Sequence, residues 1–335
     1  MILSPAILAL MMGSAAAVLL ALYASALGVR ILRHWDLSSG SELQLGLEKR
    51  TYLVSTLIAW AFAFQIGSLF LFIFTAEDLH RLFTGAMCAA GTLNVNEFGY
   101  PTILLKIGNT LLAGVWLIVN YADNRASDYP LIRKKYALLL VITPLLAAEA
   151  LLQGNYFAGL KANVITSCCG SLFGAGSEGP ISSLLGLPPG PMQAALAVSL
   201  SLTFVSGILF FLRGRTWAGA LFAVSSLASF FVSIAALVSF ISPYIYELPT
   251  HHCPFCILQR EYSHIGYFFY VSLLGGAIPG AAVGALIPFR GIGSLKEKLP
   301  PILRRLTLAA LLFYSLFSIL AVFSIFFSGL IMTAD

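Results

Sequence analysis

The stretch from Thr250 to Tyr267, T-H-H-C-P-F-C-I-L-Q-R-E-Y-S-H-I-G-Y, sets two cysteines, three histidines, an arginine and a glutamate between long apolar runs. Thiolates are the nucleophiles of disulfide exchange and strong ligands for soft metals, and exchange needs a second thiol close by to resolve the mixed disulfide. The Cys253-x-x-Cys256 spacing ahead of an apolar run predicts a pair at the start of a helix. There the helix N-terminus and Arg260, one turn later, would both favour thiolate over thiol. A structural disulfide is the plain alternative.

Three further cysteines are Cys88 and the adjacent Cys168 and Cys169. Neighbouring cysteines bond to each other only through a strained eight-membered ring, so separate partners are expected. Five is an odd number, which leaves at least one thiol unpaired within the chain or committed to a metal, a partner or a catalytic cycle. With His80, His251 and His252, the cysteines supply more soft ligands than a copper or zinc ion needs; His251, His252, Cys253 and Cys256 form the most compact set. Haem is a weaker fit, because Ile257 follows Cys256 and the Cys-x-x-Cys-His attachment pattern is absent.

What must position these groups is a membrane bundle. Of 335 residues, 59% are hydrophobic and 10% charged, too few charges to cover a soluble globule of that size. Eight apolar stretches, near 6–31, 52–75, 102–121, 136–153, 191–212, 216–242, 264–289 and 306–330, are long enough to cross a hydrocarbon core of ~30 Å. The expected fold is therefore an all-α polytopic integral membrane protein of about eight transmembrane helices, forming a single domain over 1–335. The first stretch lacks a basic n-region and a small-residue cleavage site, and reads as a retained helix.

Fifteen of the 19 Lys and Arg fall in one alternating set of connections, leaving Arg81, Lys106, Lys161 and Arg260 for the other side. Cationic loops stay cytoplasmic, so both termini and all five cysteines are expected on the external or periplasmic face of a bacterial-type inner membrane. That compartment permits disulfides. The net charge of +5 reflects this topology and calls for no nucleic acid.

Two stretches look alike. M-C88-A-A-G-T-L-N-V-N-E97-F-G-Y100 and H-C253-P-F-C-I-L-Q-R-E261-Y-S-H-I-G-Y267 both run from a Cys through Leu-Asn or Leu-Gln and a Glu to Gly-Tyr at a helix start. Each follows an even-numbered helix, which suggests a duplicated four-helix unit, with halves 1–153 and 191–335 joined by the external loop 154–190. Under that reading Cys88 faces Cys253. The loop 154–190, rich in Gly, Pro and Ser, would fold back over the external face and could deliver Cys168 and Cys169 to the other thiols. Within the helices, Lys106, Asn109 and Glu149 are costly unless paired, and Lys106 with Glu149 is the expected architectural ion pair. Gly276, Gly280 and Gly284 recur every four residues, a spacing that permits close helix packing.

The run Cys253-Pro-Phe-Cys-Ile-Leu-Gln-Arg260 resembles the signature of the disulfide-bond formation protein B family, quinone-linked membrane dithiol oxidases in which Cys-Pro-Leu-Cys-Ile-x-Gln-Arg leads into a helix. Phe255 replaces the family's Leu, and the resemblance covers about 30 residues. It implies that Cys256 meets a quinone as thiolate with Arg260 stabilising negative charge, that Gln259 and His264 help bind the cofactor, and that Cys253 exchanges with another thiol. The family has four helices and places its second cysteine pair downstream; here none lies beyond Cys256, so the shuttle role would pass to Cys88, Cys168 or Cys169.

Three functions follow from these residues. The first is a membrane thiol:disulfide redox protein exchanging electrons with a quinone and an external thiol protein. The second is a soft-metal protein binding or transporting copper or zinc. The third is a non-catalytic subunit of a larger membrane complex with structural disulfides. No Walker motif, nucleophile elbow or carboxylate pair points to hydrolysis.

Overall fold

The computed structural model describes residues 4–36, 39–126, 128–161, 165–166 and 189–330. Among them every regular element is helical, and eight helices are long and apolar enough to cross a membrane. They are α1 (Pro5–His34), α2 (Glu42–Leu79), α3 (Gly99–Asp123), α4 (Ile132–Ala158), α5 (Pro189–Arg213), α6 (Thr216–Ala236), α7 (Ile265–Leu286) and α8 (Leu299–Phe326). The protein is an all-α polytopic membrane protein.

Several helices overrun the apolar stretches that predict them. The connection between the first two apolar stretches is shorter than their bounds imply, because α2 starts at Glu42 and runs on to Leu79. Hydropathy measures only the lipid-spanning part, whereas backbone hydrogen bonding continues through flanking polar turns. Between α5 and α6, Gly214 sits in the left-handed region (φ 62°) and its N–H returns to Phe210 O at 2.8 Å, closing α5 as only a residue without Cβ does cheaply. The sixth span continues beyond α6. Pro243 has no N–H to give back along the helix, and the chain widens into a π turn at Leu237–Ile241 before the short helix Ser242–Tyr246.

The chain divides into two compact units. The first comprises Met1–Thr75, Asn96–Lys161 and Pro288–Ile302. In it α1 and α3 pack on α4, around a core that includes Ile31, Phe62, Trp116, Tyr136 and Leu139. Lipid tails are as apolar as these side chains, so helix association rests on packing and interhelical hydrogen bonds. A polar cluster supplies the latter. Lys106 Nζ lies 2.5 Å from Glu149 Oε1, Asn109 donates to Oε2 at 2.7 Å, and Gln65 of α2 donates to both oxygens at 2.6–2.7 Å. Lys106 also donates to Ser68 Oγ (3.2 Å). A second pair was not foreseen: Lys135, counted above among loop cations, is buried in the first turn of α4. There it meets Asp123 Oδ2 at 2.8 Å and donates to Asn120 at 3.1 Å.

The second unit comprises Ala76–Val95, Ala162–Ile287 and Leu303–Asp335. Here α6 packs against both α5 and α7. The glycine stripe of α7 lies against neighbouring helices: a Cβ on Gly276 would come within 2.7 Å of the Tyr314 ring, and one on Gly280 would overlap Ser226 Oγ. Tyr314 OH fixes this contact by donating to Ser226 O at 2.6 Å. Gly280→Val should therefore force α6 and α7 apart, at about 1–3 kcal/mol. The thermal-unfolding midpoint in detergent reads this out, and an unchanged midpoint would show that the close approach is not required.

Candidate functional site

Two thiol-bearing loops lie among the described residues, and both belong to the second unit. One follows α2: a 3₁₀ turn at His80–Leu82, then Cys88 as N-cap of the short helix Ala89–Leu93. The other follows Tyr246 and carries the Cys253-x-x-Cys256 pair. Contrary to the expected helix start, Cys256 opens a single 3₁₀ turn, Cys256–Leu258, and α7 begins only at Ile265. The physical reason is at Gln259. Its extended backbone (ψ 159°) ends the turn and aims its side chain at the Cys88 loop, so helical continuation is given up for contacts between loops. Ser263 and His264 then take left-handed conformations, each costing roughly 1–2 kcal/mol without a compensating contact. His264 recovers part of this through its backbone N–H to Gln259 O (3.1 Å) and its Nδ1 to Leu258 O (2.7 Å).

Three sulfurs meet at this place. Cys88 Sγ lies 3.5 Å from Cys253 Sγ, and these two and Cys256 Sγ all fall within 4.8 Å of one another. A disulfide is about 2.05 Å long, so the first two are in contact without being bonded to each other. Cys88 and Cys253 have no exposed surface and Cys256 only 5%.

Glu77, near the end of α2, holds the two loops together. Its Oε2 accepts the N–H of Ala89 (2.6 Å) and its Oε1 accepts Gln259 Nε2 (2.7 Å), while Gln259 also donates to Met87 O (2.8 Å). Met87, before Cys88, is thus tied directly to a side chain three residues beyond Cys256, and Ala89, after it, is tied to the same side chain through Glu77. His80 Nδ1 bonds back to Glu77 O. On the other side, Tyr246 OH donates to Cys253 O (2.5 Å) and Tyr270 OH to Pro254 O (2.6 Å), fixing the backbone of the pair. His252 Nδ1 meets Val238 O in the π turn at 3.0 Å. A carbonyl can only accept, so Nδ1 carries the proton in both His252 and His264.

His251 packs edge-on against Tyr246, ring centroids 4.6 Å apart. Burial holds its pKa below the usual imidazole value; the nearby Cys88 opposes that shift and His252 reinforces it. The Tyr262 hydroxyl is pushed up by partial burial and by neighbouring Cys256 and Glu261.

The four-ligand set His251, His252, Cys253 and Cys256 does not assemble. Among the described residues, the group that gathers ligand atoms within 4.8 Å is Cys88, Cys253 and Cys256, and neither histidine nitrogen joins it. The histidines are held elsewhere, by Tyr246 and Val238. Arg260 is exposed; its backbone O accepts the Ser263 N–H at 2.9 Å, and its guanidinium makes no ion pair among the described residues. Cys168 and Cys169, and most of the loop 154–190, lie outside the described residues.

The chain matches no protein-family model, no curated protein and no solved structure.

Beside the thiol loop, a groove of about 430 Å³ is lined by Tyr244, Glu247, Tyr262, Phe268, Phe323 and Phe327, among others. Tyr262 stacks edge-on against Tyr246 (4.7 Å) and so links this groove to the carbonyl of Cys253. Gln259, Arg260 and His264 do not line it.

Sequence reading passed over the role of Glu77, Tyr246 and Tyr270. The signal for Glu77 was a carboxylate directly after an apolar run; what hid its role is a partner 182 residues away. Glu77→Gln should place an amide donor against the Ala89 N–H or the Gln259 amide, losing about 1.5–3 kcal/mol of hydrogen bonding to a charged group. Helix content should be retained while Cys88–Cys253 disulfide formation slows, as followed by timed alkylation. An unchanged rate would mean that Glu77 does not position Cys88.

Proposed function

We propose that the protein is a membrane thiol:disulfide oxidoreductase whose working groups are Cys88, Cys253 and Cys256. The observation that carries this reading is the 3.5 Å approach of Cys88 Sγ to Cys253 Sγ with Cys256 Sγ close by. Three such sulfurs can pass a disulfide along. The Cys88 thiolate attacks Cys253 Sγ of a Cys253–Cys256 disulfide; the Cys88–Cys253 bond forms, the Cys253–Cys256 bond breaks, and Cys256 leaves as thiolate. The step moves no net electrons, so the cycle needs a dithiol donor and an acceptor outside the triad.

For the acceptor we favour a membrane quinone, which takes two electrons and two protons to become quinol as two thiols become a disulfide. The aromatic groove beside Tyr262 has a suitable size and lining for a flat ring, and Tyr262 and Glu247 supply its polar edge. For the donor we favour an external thiol protein. The skew of Lys and Arg supports an external site in an inner membrane, where disulfides persist.

The test is differential alkylation of the purified protein before and after a ubiquinone or menaquinone analogue is added. Cys253 and Cys256 should lose reactivity together as quinol appears. Equal labelling whatever the quinone redox state would remove the oxidase reading and favour a structural subunit.

A further inference from the structure

We infer that, when reduced, Cys88, Cys253 and Cys256 hold one Cu(I) ion, so that a soft metal and a disulfide compete for the same three sulfur atoms. The inference rests on the same reduced triad as the proposed function and adds a way of regulating it. Metal–sulfur bonds of about 2.3 Å place sulfurs about 4.0 Å apart in a trigonal plane and about 3.8 Å apart in a tetrahedron. The observed approach of 3.5 Å for one pair, with all three sulfurs inside 4.8 Å, needs only small side-chain adjustments to reach the trigonal arrangement.

The donor set decides which ion. Zinc in structural sites takes four ligands, and among the described residues no His, Asp or Glu atom joins the three sulfurs. Three thiolates suit a soft, monovalent ion of low coordination number, and soft sulfur ligands select Cu(I). The near-complete burial of the three cysteines keeps out the water that harder ions retain. The Glu77–Gln259 contact holds the two loops at this separation, so little ordering remains to be done on binding.

No electron moves in this step. Each coordinating thiol releases its proton, the copper stays Cu(I), and the engaged sulfur lone pairs are withheld from disulfide exchange.

The test uses the full-length protein, reduced and anaerobic in detergent, titrated with Cu(I) against a chromophoric Cu(I) chelator, with Zn(II) in parallel. One Cu(I) per chain is expected, with Cys253 and Cys256 protected from alkylation, and Cys88→Ser should weaken binding at least about tenfold. An affinity unchanged in Cys88→Ser, or no more binding than in the triple Cys→Ser variant, would overturn the inference; so would preferential, stoichiometric binding of zinc. Because the alkylation response to quinone is read without metal, it stands or falls separately: exchange without copper binding sinks only this inference, and copper binding without exchange sinks only the redox function.

Discussion

Lys106→Met, made alone, is expected to cost about 3–5 kcal/mol, because it strands the Glu149 carboxylate among buried helices. In the parent that carboxylate is surrounded by Lys106 Nζ at 2.5 Å, Gln65 Nε2 at 2.6–2.7 Å and Asn109 Nδ2 at 2.7 Å, with Lys106 and Glu149 both essentially unexposed. The neutral amides of Gln65 and Asn109 cannot replace a positive charge. Removing both charges, as in Lys106→Met with Glu149→Gln, should be milder than Lys106→Met alone, since no bare ion is then left in the interior. A double-mutant cycle on unfolding in mixed micelles measures the coupling. Single and double variants as stable as the parent would show that the cluster contributes nothing to holding α2, α3 and α4 together.

Cys88→Ser is the second large effect, and it is chemical. Serine keeps the size and polarity of the side chain, so the fold should persist, but a hydroxyl cannot take part in disulfide exchange. With Cys88 held in contact with Cys253, the intramolecular step has a high effective concentration. Its loss should slow reduction of the Cys253–Cys256 disulfide by about 100-fold or more. Stopped-flow reduction followed by acid quench and mass analysis of the alkylated peptides gives the rate. Reduction at the parental rate in Cys88→Ser would mean that another thiol performs the exchange.

The membrane architecture was legible because eight apolar runs of the required length leave few alternatives, and the Lys106–Glu149 pair because an ionisable group at membrane depth needs an opposite charge nearby. The helix ends were less so. Glu42 and the turns after it carry charge, so hydropathy placed the start of α2 too late. Lys135 was misread for a related reason: a lysine at a helix border looks like a loop cation until Asp123 and Asn120 are seen around it. At the thiol site the residue types were visible but the local structure was not. A Cys-x-x-Cys before an apolar run suggests a helix N-terminus, yet Gln259 leaves the turn to reach Glu77, an arrangement set by a distant partner rather than by local propensity. The likeness between the stretches around Cys88 and Cys253 singled out Cys88 from the upstream cysteines. Only the folded chain brings its sulfur, 165 residues away in sequence, against that of Cys253.

The most direct measurement removes the leaving sulfur and maps what remains. In Cys256→Ser no Cys253–Cys256 disulfide can form and no third sulfur is there to resolve a Cys88–Cys253 one. A mild oxidant, taking two electrons from the Cys88 and Cys253 thiols, followed by proteolysis under non-reducing conditions should therefore yield a single dominant cross-link joining the Cys88 and Cys253 peptides. Recovery of both peptides as separately alkylated thiols, or of Cys253 joined to any other cysteine, would contradict the three-sulfur relay.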